Sequence, residues 1–101
     1  MARFDLYQTR SPRLPYLLDV QADLLSDLET RVVIPVLPQT GREASHVPRL
    51  HPVLMISGVA HMLMTPEITT VPREKLSKPV GNIAKHRDAI TDALDFLFQG
   101  F

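Results

Sequence analysis

A mainly β domain closed by one C-terminal α-helix is the fold class this sequence predicts, and three observations predict it. Nine prolines are spread through 101 residues, which suits short strands cut by turns and not a helical bundle. Short alternating or apolar runs, bounded by Pro or Gly, recur from Phe4 to Val71. The stretch Asn82 to Phe101 then changes period: at 100° per residue from Ile83, the residues Ile90, Leu94, Leu97 and Phe101 share one stripe.

In chain order, Phe4 to Tyr7 alternates, with Phe4 and Leu6 on one face, and reads as a short strand. Gln8 to Pro15 holds Ser11-Pro12 and Leu14-Pro15 and reads as a loop. Tyr16 to Gln21 is a second strand, apolar enough to be buried on both faces. Asp23 to Leu28 is too short and too acidic for a helix; it sets Leu24 and Leu25 side by side in a polar stretch, half packed or a contact site. Arg31 to Leu37 is the strongest strand. Its Pro35 has no N–H to give, which predicts an edge or a bulge there.

Pro38 to Pro52 is a long polar connection with Gly41 and Pro48, either wandering or forming a small wing. Val53 to Ile56 and Val59 to Met64 form a hairpin through Ser57-Gly58, where Gly supplies positive φ. Ile68 to Val71 is a last strand between Pro66 and Pro72, and Arg73 to Val80 is a connector. Asn82 is the expected N-cap of the helix and Gly100 its stop.

The last turn holds more aromatic surface than one core stripe needs, because Phe96 points away from the stripe and Phe98 sits at its edge. Asp88, Asp92 and Asp95 share one side of the helix, with Asp92 and Asp95 toward its negative end. Such charges cost about 0.3–1 kcal/mol each at an exposed site. A solvated acidic face and a surface for a basic partner both fit them.

Composition bounds the function. The length suits one domain, residues 1–101. Lys plus Arg number 11 and Asp plus Glu 11, with no basic cluster, so counterion-driven nucleic-acid binding by the chain alone is not expected. The chain has no cysteine, which excludes disulfides and thiolate metal sites. No apolar run reaches membrane length and the first residues lack a signal peptide's apolar core, so a cytoplasmic protein with no membrane partner is expected. His46, His51, His61 and His86 form no metal-binding or catalytic spacing; His61 is expected to be packed or at an edge, and His46 and His51 solvated. No nucleotide-binding or nucleophile-elbow motif is present, and no cofactor is expected.

Four landmarks carry a resemblance. Asp19-Val20-Gln21-Ala22-Asp23-Leu24-Leu25, Arg31-Val32-Val33-Ile34-Pro35, Thr70-Val71-Pro72 and the ending Phe98-Gln99-Gly100-Phe101 closely resemble the CcdB family, the toxins of ccd toxin–antitoxin modules. The same landmarks come in the same order over the whole length. The resemblance implies an SH3-barrel-like antiparallel sheet with a small wing sheet after Leu37 and a C-terminal α-helix. It implies a homodimer with the helix ends near the two-fold axis and an interface at Ala22, Phe96, Leu97 and Phe98. Such a protein is not an enzyme. It binds the DNA gyrase A subunit and traps gyrase on cleaved DNA. A CcdA-like antitoxin neutralises it, and the two together repress their operon, with operator DNA contacted through the antitoxin.

Carried over position by position, the gyrase-binding residues are Leu24, Leu25, Asp95, Phe98, Gln99, Gly100 and Phe101. Asp95 and Gln99 depart from the family pattern, which has an amide and a tryptophan there, and Phe101 stands for an aliphatic. Two alternatives differ in kind. One is a ribonuclease toxin of the related MazF-like fold, which needs an acid and a base beside a cationic groove. The other is a decayed member that binds antitoxin without killing.

Overall fold

Strand β3 (Thr30–Pro38) is the axis of the sheet. The computed structural model describes residues 1–40 and 47–101, so Gly41 and His46 of the long connection lie outside the described residues. Among these the other strands are β1 (Asp5–Ser11), β2 (Leu14–Asp19), β4 (Val53–Ile56), β5 (Val59–Leu63), β6 (Thr69–Pro72) and β7 (Gly81–Asn82), followed by helix α1 (Arg87–Gln99). The hydrogen-bonded order is β4-β5-β3-β2-β1-β7, with β6 also beside β3, and every pairing is antiparallel. The mainly β fold with one C-terminal helix is as the sequence predicts.

Pro35 sits at neither an edge nor a bulge. β2 runs along one side of β3, while on the other side β6 pairs with Thr30–Val33 and β5 with Val36–Pro38. Pro35 falls in the gap between β6 and β5. Its carbonyl accepts from the Met64 amide at 2.9 Å, and the missing N–H lies where no strand offers an acceptor. The β4–β5 hairpin leaves along this second half of β3 and forms the wing, within the same sheet. Its turn uses Gly58 at φ 77°, as the hairpin reading required, and also Ser57 at φ 52°, which that reading did not foresee.

Gln8 to Pro15 is not a loop. β1 and β2 form a hairpin through Pro12 and Arg13. Gln8 pairs with Tyr16 and Ser11 with Leu14, so Thr9 and Arg10 stand opposite Pro15 alone. This bulge falls where a proline cannot supply the ladder. The Thr9 hydroxyl donates to the Leu14 carbonyl and accepts from the Ser11 amide, bridging the irregularity.

The two faces of the central strands differ. Leu6, Leu18, Ile34 and Val36 point into the apolar core, which Phe4, Leu54, Leu63, Ile83 and Ile90 complete. The alternate positions Asp5, Tyr7, Asp19 and Arg31 are buried as well, so the other face carries a polar layer. Within it Arg31 grips Asp19 through Nε to Oδ2 at 2.7 Å and Nη2 to Oδ1 at 2.9 Å, both side chains fully buried. Burial pushes the Asp19 carboxyl above its ordinary value, while the Gln21 amide and Arg31 pull it back. Gln21 extends the ladder beyond β2: its Oε1 accepts from the Val32 amide and its Nε2 donates to the Leu25 carbonyl.

Tyr7 yields a prediction. Its hydroxyl is buried with no hydrogen-bond partner. Burial, with Asp5 and Asp19 behind it, pushes its pKa up to about 12 from 10.0. Between those values the unfolded chain loses the proton and the folded one keeps it, so stability falls as pH rises through that window. Full passage costs about 2–3 kcal/mol. Denaturant midpoints of wild type and Tyr7→Phe are expected to agree near neutral pH and to separate by that amount toward pH ~12, with wild type the less stable. An equal alkaline loss in both proteins contradicts the assignment.

Candidate functional site

Helix α1 starts later than its sequence pattern suggests. Asn82 belongs to β7 and pairs with Asp5. Its Oδ1 accepts from the Ala84 amide at 3.0 Å, at the entry to a 3-10 turn over Ala84–His86, and it is not the N-cap of the α-helix, which follows His86 with no side-chain cap. Its Nδ2 ties the same point to Arg3 and Asp5. From Arg87 onward, Ile90 and Ala93 are fully buried and Leu94 and Leu97 half-buried. Ala93 was missing from the predicted stripe.

The helix stops at Gly100, as predicted. Gly100 has φ 78° and its amide donates to the Phe96 carbonyl at 2.9 Å. The left-handed turn carries the chain off the helix axis. Phe101 therefore leaves the core stripe on which it was expected and is 74 % exposed. Phe98 is 70 % exposed beside it. Asp95 and Gln99 are exposed on the flank, and Asp95 makes no hydrogen bond or ion pair among the described residues. The tip thus offers two aromatic rings, one exposed carboxylate, one amide and a bare glycine backbone.

A second apolar patch stands at the 3-10 turn Asp23–Leu25. Leu24 is 96 % exposed and Leu25 47 %. The turn is pinned on several sides. Leu25 donates back to the Ala22 carbonyl at 3.0 Å, and Gln21 Nε2 holds the Leu25 carbonyl at 3.0 Å. Asp23 Oδ1 accepts from the Arg3 amide at 2.7 Å, and Arg73 Nη1 donates to the Ser26 carbonyl at 3.0 Å. A leucine held out in water by a braced turn adds nothing to the chain's own core, which fits a contact role. Ala22 is exposed next to it. Among the described residues, no hydrogen bond, ion pair or ring contact joins Leu24 or Leu25 to the tip of α1.

The acidic side of the helix is only partly free. Arg49, from a turn late in the long connection, grips Asp92 through Nε to Oδ2 and Nη2 to Oδ1, both at 2.9 Å. The same guanidinium lies 4.7 Å from the Phe96 ring centre. Asp92 is mid-helix, and the Arg49 guanidinium beside it holds its carboxyl below the usual carboxylate range. Asp88 falls in the first turn, at the helix's positive end, where a carboxylate is favourable. Of the three acids, only Asp95 retains the unexplained position near the negative end. Phe96, expected to face a second chain, is half-buried with Arg49 on its ring.

Sequence reasoning missed Arg49 because its partners lie 43 or more residues away and no local pattern marks it. His61 is packed, as expected, with its ring edge-on to Tyr16 at 5.4 Å. His51, expected in solvent, is half-buried and tied through Nδ1 to the Val47 backbone. Among the described residues, no group of three or more His, Asp or Glu is placed to hold a metal ion, and no helix is long and apolar enough to cross a membrane. A groove of about 260 Å³ beside β7, lined in part by Leu6, Tyr16, Met55 and Ile83, shares no residue with either patch.

The landmarks that carry the resemblance have structural work here: Asp19 pairs with Arg31, Gln21 extends the ladder, Asp23 anchors the N-terminus, and Thr70 to Pro72 line β3. They are positions the fold itself depends on, and the match to a known family follows the whole fold and not one local motif. The family model described as CcdB protein covers residues 3–100, nearly the full chain, and with that the protein belongs to the CcdB family, the toxins of toxin–antitoxin modules.

Proposed function

We propose that this toxin acts by binding and not by catalysis, and that its target is the DNA gyrase A subunit, held in the cleaved-DNA state so that the break is not resealed. One observation carries the reading. Phe98 and Phe101 stand in water beside Gly100 and the unpaired Asp95, on a chain of the CcdB family. Rings left exposed at a sharply capped helix end are poor for solubility and well suited to a partner. The proposed contact set is Leu24, Leu25, Asp95, Phe98, Gln99, Gly100 and Phe101.

The two patches are joined, in this proposal, across a homodimer. Leu97, Phe98, Ala22 and the uncovered part of Phe96 meet near a two-fold axis and bring both helix tips and both leucine turns to one surface. Sedimentation should give a dimer at micromolar concentration; a monomer there would separate the patches and remove the composite site. A CcdA-like antitoxin neutralises the toxin through a segment that folds on it. The complex represses its own operator, with DNA contacts from the antitoxin.

Calorimetry with a gyrase A fragment tests the reading. A partner arginine is the natural ligand of an exposed flank carrying Asp95 and Gln99. Gln99 can lie against a guanidinium, yet it lacks the ring quadrupole that makes a cation–aromatic contact worth about 0.5–2 kcal/mol. Gln99→Trp is therefore expected to tighten binding roughly 2- to 30-fold. Asp95→Asn is expected to flatten the salt dependence, since it removes a charge that salt screens. Unchanged or weaker binding by Gln99→Trp would remove this position from the contact set.

A further inference from the structure

We propose that Asp92 and Phe96 together form a receptor for an arginine side chain of a protein partner, and that Arg49 is a built-in competitor that keeps the receptor filled. The inference rests on the gyrase reading for the identity of the partner, and not for its test. The chemistry of the receptor is written in its present occupant. Asp92 and Phe96 are four residues apart on α1 and so lie one above the other on one face. Arg49 uses both at once: two hydrogen bonds of 2.9 Å to the carboxylate and its Cζ 4.7 Å from the ring centre. A fork matched to a carboxylate beside an aromatic face selects guanidinium over ammonium.

Two further features separate a competitor from a structural tie. The side chains remain 41 % and 52 % exposed, so the ion pair is wet, weak and sensitive to salt, and an incoming arginine can displace it. The receptor also lies one helical turn from Gln99 and next to Asp95, on the flank of the proposed contact set. Of the three helix acids, Arg49 hydrogen-bonds the middle one, and Asp95 acts on Arg49 only through its charge, with no hydrogen bond between them. A partner that brings a second arginine must exchange with Arg49 to use Asp92.

The test compares wild type, Arg49→Ala and Arg49→Ala/Asp92→Asn. Each is titrated with N-acetyl-argininamide while backbone amide signals are followed by NMR. Arg49→Ala is expected to respond saturably around Asp92 and Phe96, with little response there in wild type, where Arg49 occupies the site, or in the double variant, which lacks the carboxylate. The same response in all three proteins, or none in Arg49→Ala, overturns the receptor. With the gyrase A fragment, Arg49→Ala is expected to bind about three- to tenfold tighter than wild type, with a steeper salt dependence, since it frees a carboxylate and a ring. Equal or weaker binding overturns the competitor role, because a brace for the tip would lose affinity on removal. If no form binds the fragment, the gyrase reading fails, and the arginine titration alone decides the receptor.

Discussion

Gly100→Arg is expected to abolish killing while the protein still folds. The reason lies in how Gly100 is built in. Its φ of 78° places it in the left-handed region, yet an added Cβ would meet no atom within 4 Å. A side chain at 100 therefore strains the backbone without colliding with the core, at a cost of about 1–2 kcal/mol. That is a fraction of the stability of a typical domain, about 5–15 kcal/mol. The function has less tolerance. The long cation would project from the centre of the tip, between Phe98 and Phe101, where the proposed contact needs bare backbone. Gly100→Ala separates the two effects: it carries the same strain with almost no bulk, and should keep most of the killing. Survival of killing in Gly100→Arg, with a normal circular dichroism spectrum, would place the gyrase contact elsewhere.

The largest loss of stability is expected from the polar layer behind the sheet. Asp19→Asn leaves Arg31 fully buried opposite a neutral group, and Arg31 Nη1 already lacks a partner. Breaking such a pair from one side costs about 3–5 kcal/mol. Arg31→Met leaves the carboxylate with only the Gln21 amide to oppose burial, which then raises its pKa further. A raised folded pKa gives stability that is present at low pH and lost as pH rises through it, so Arg31→Met should be less impaired in mild acid than at neutral pH. Asp19→Leu/Arg31→Met removes both charges and is expected to recover most of the loss. Urea midpoints of the singles and the double measure this directly. Additive losses would mean that the two residues act separately, against the bidentate geometry.

What the sequence made legible is what local chemistry decides. Gly58 and Gly100 were read correctly because a glycine marks single positions where positive φ is needed, whereas the positive φ of Ser57 carries no such mark. The Leu24–Leu25 tip was legible as an apolar pair in a polar stretch, although its bracing by Gln21, Asp23 and Arg73 was not. The hairpin of β1 and β2 was hidden by its prolines. Two of them in four residues argue against a strand unless a bulge absorbs one, and Thr9 and Arg10 opposite Pro15 provide it. Pro35 misled for a similar reason. A missing donor is tolerated at an edge, and equally where a central strand changes neighbours, and periodicity does not tell the two apart.

The helix was found from its period, but its ends came from tertiary context. Asn82 is not the N-cap expected: the α-helix begins after His86, and Asn82 pairs with Asp5 in the sheet while its side chain accepts from the Ala84 amide. Phe101 fits the stripe only while the helix continues, and the left-handed Gly100 takes it away. The acidic face was visible as composition, yet its division into a stabilising Asp88, an Asp92 paired with Arg49 and an Asp95 that Arg49 feels only as a charge depends on tertiary contacts. The landmark residues pointed to the family without any physical account of why. The structure supplies one: Asp19, Gln21, Asp23 and Arg31 hold the strands and the leucine turn in place.

Inducing the protein in cells with toxin-sensitive gyrase, and in cells with toxin-resistant gyrase, tests the central claim most directly. The account predicts loss of viability in the sensitive strain, survival in the resistant strain, and survival of both with Gly100→Arg at equal expression. Equal killing of the two strains by wild type, or cleavage of RNA by the purified protein with no gyrase present, would contradict it.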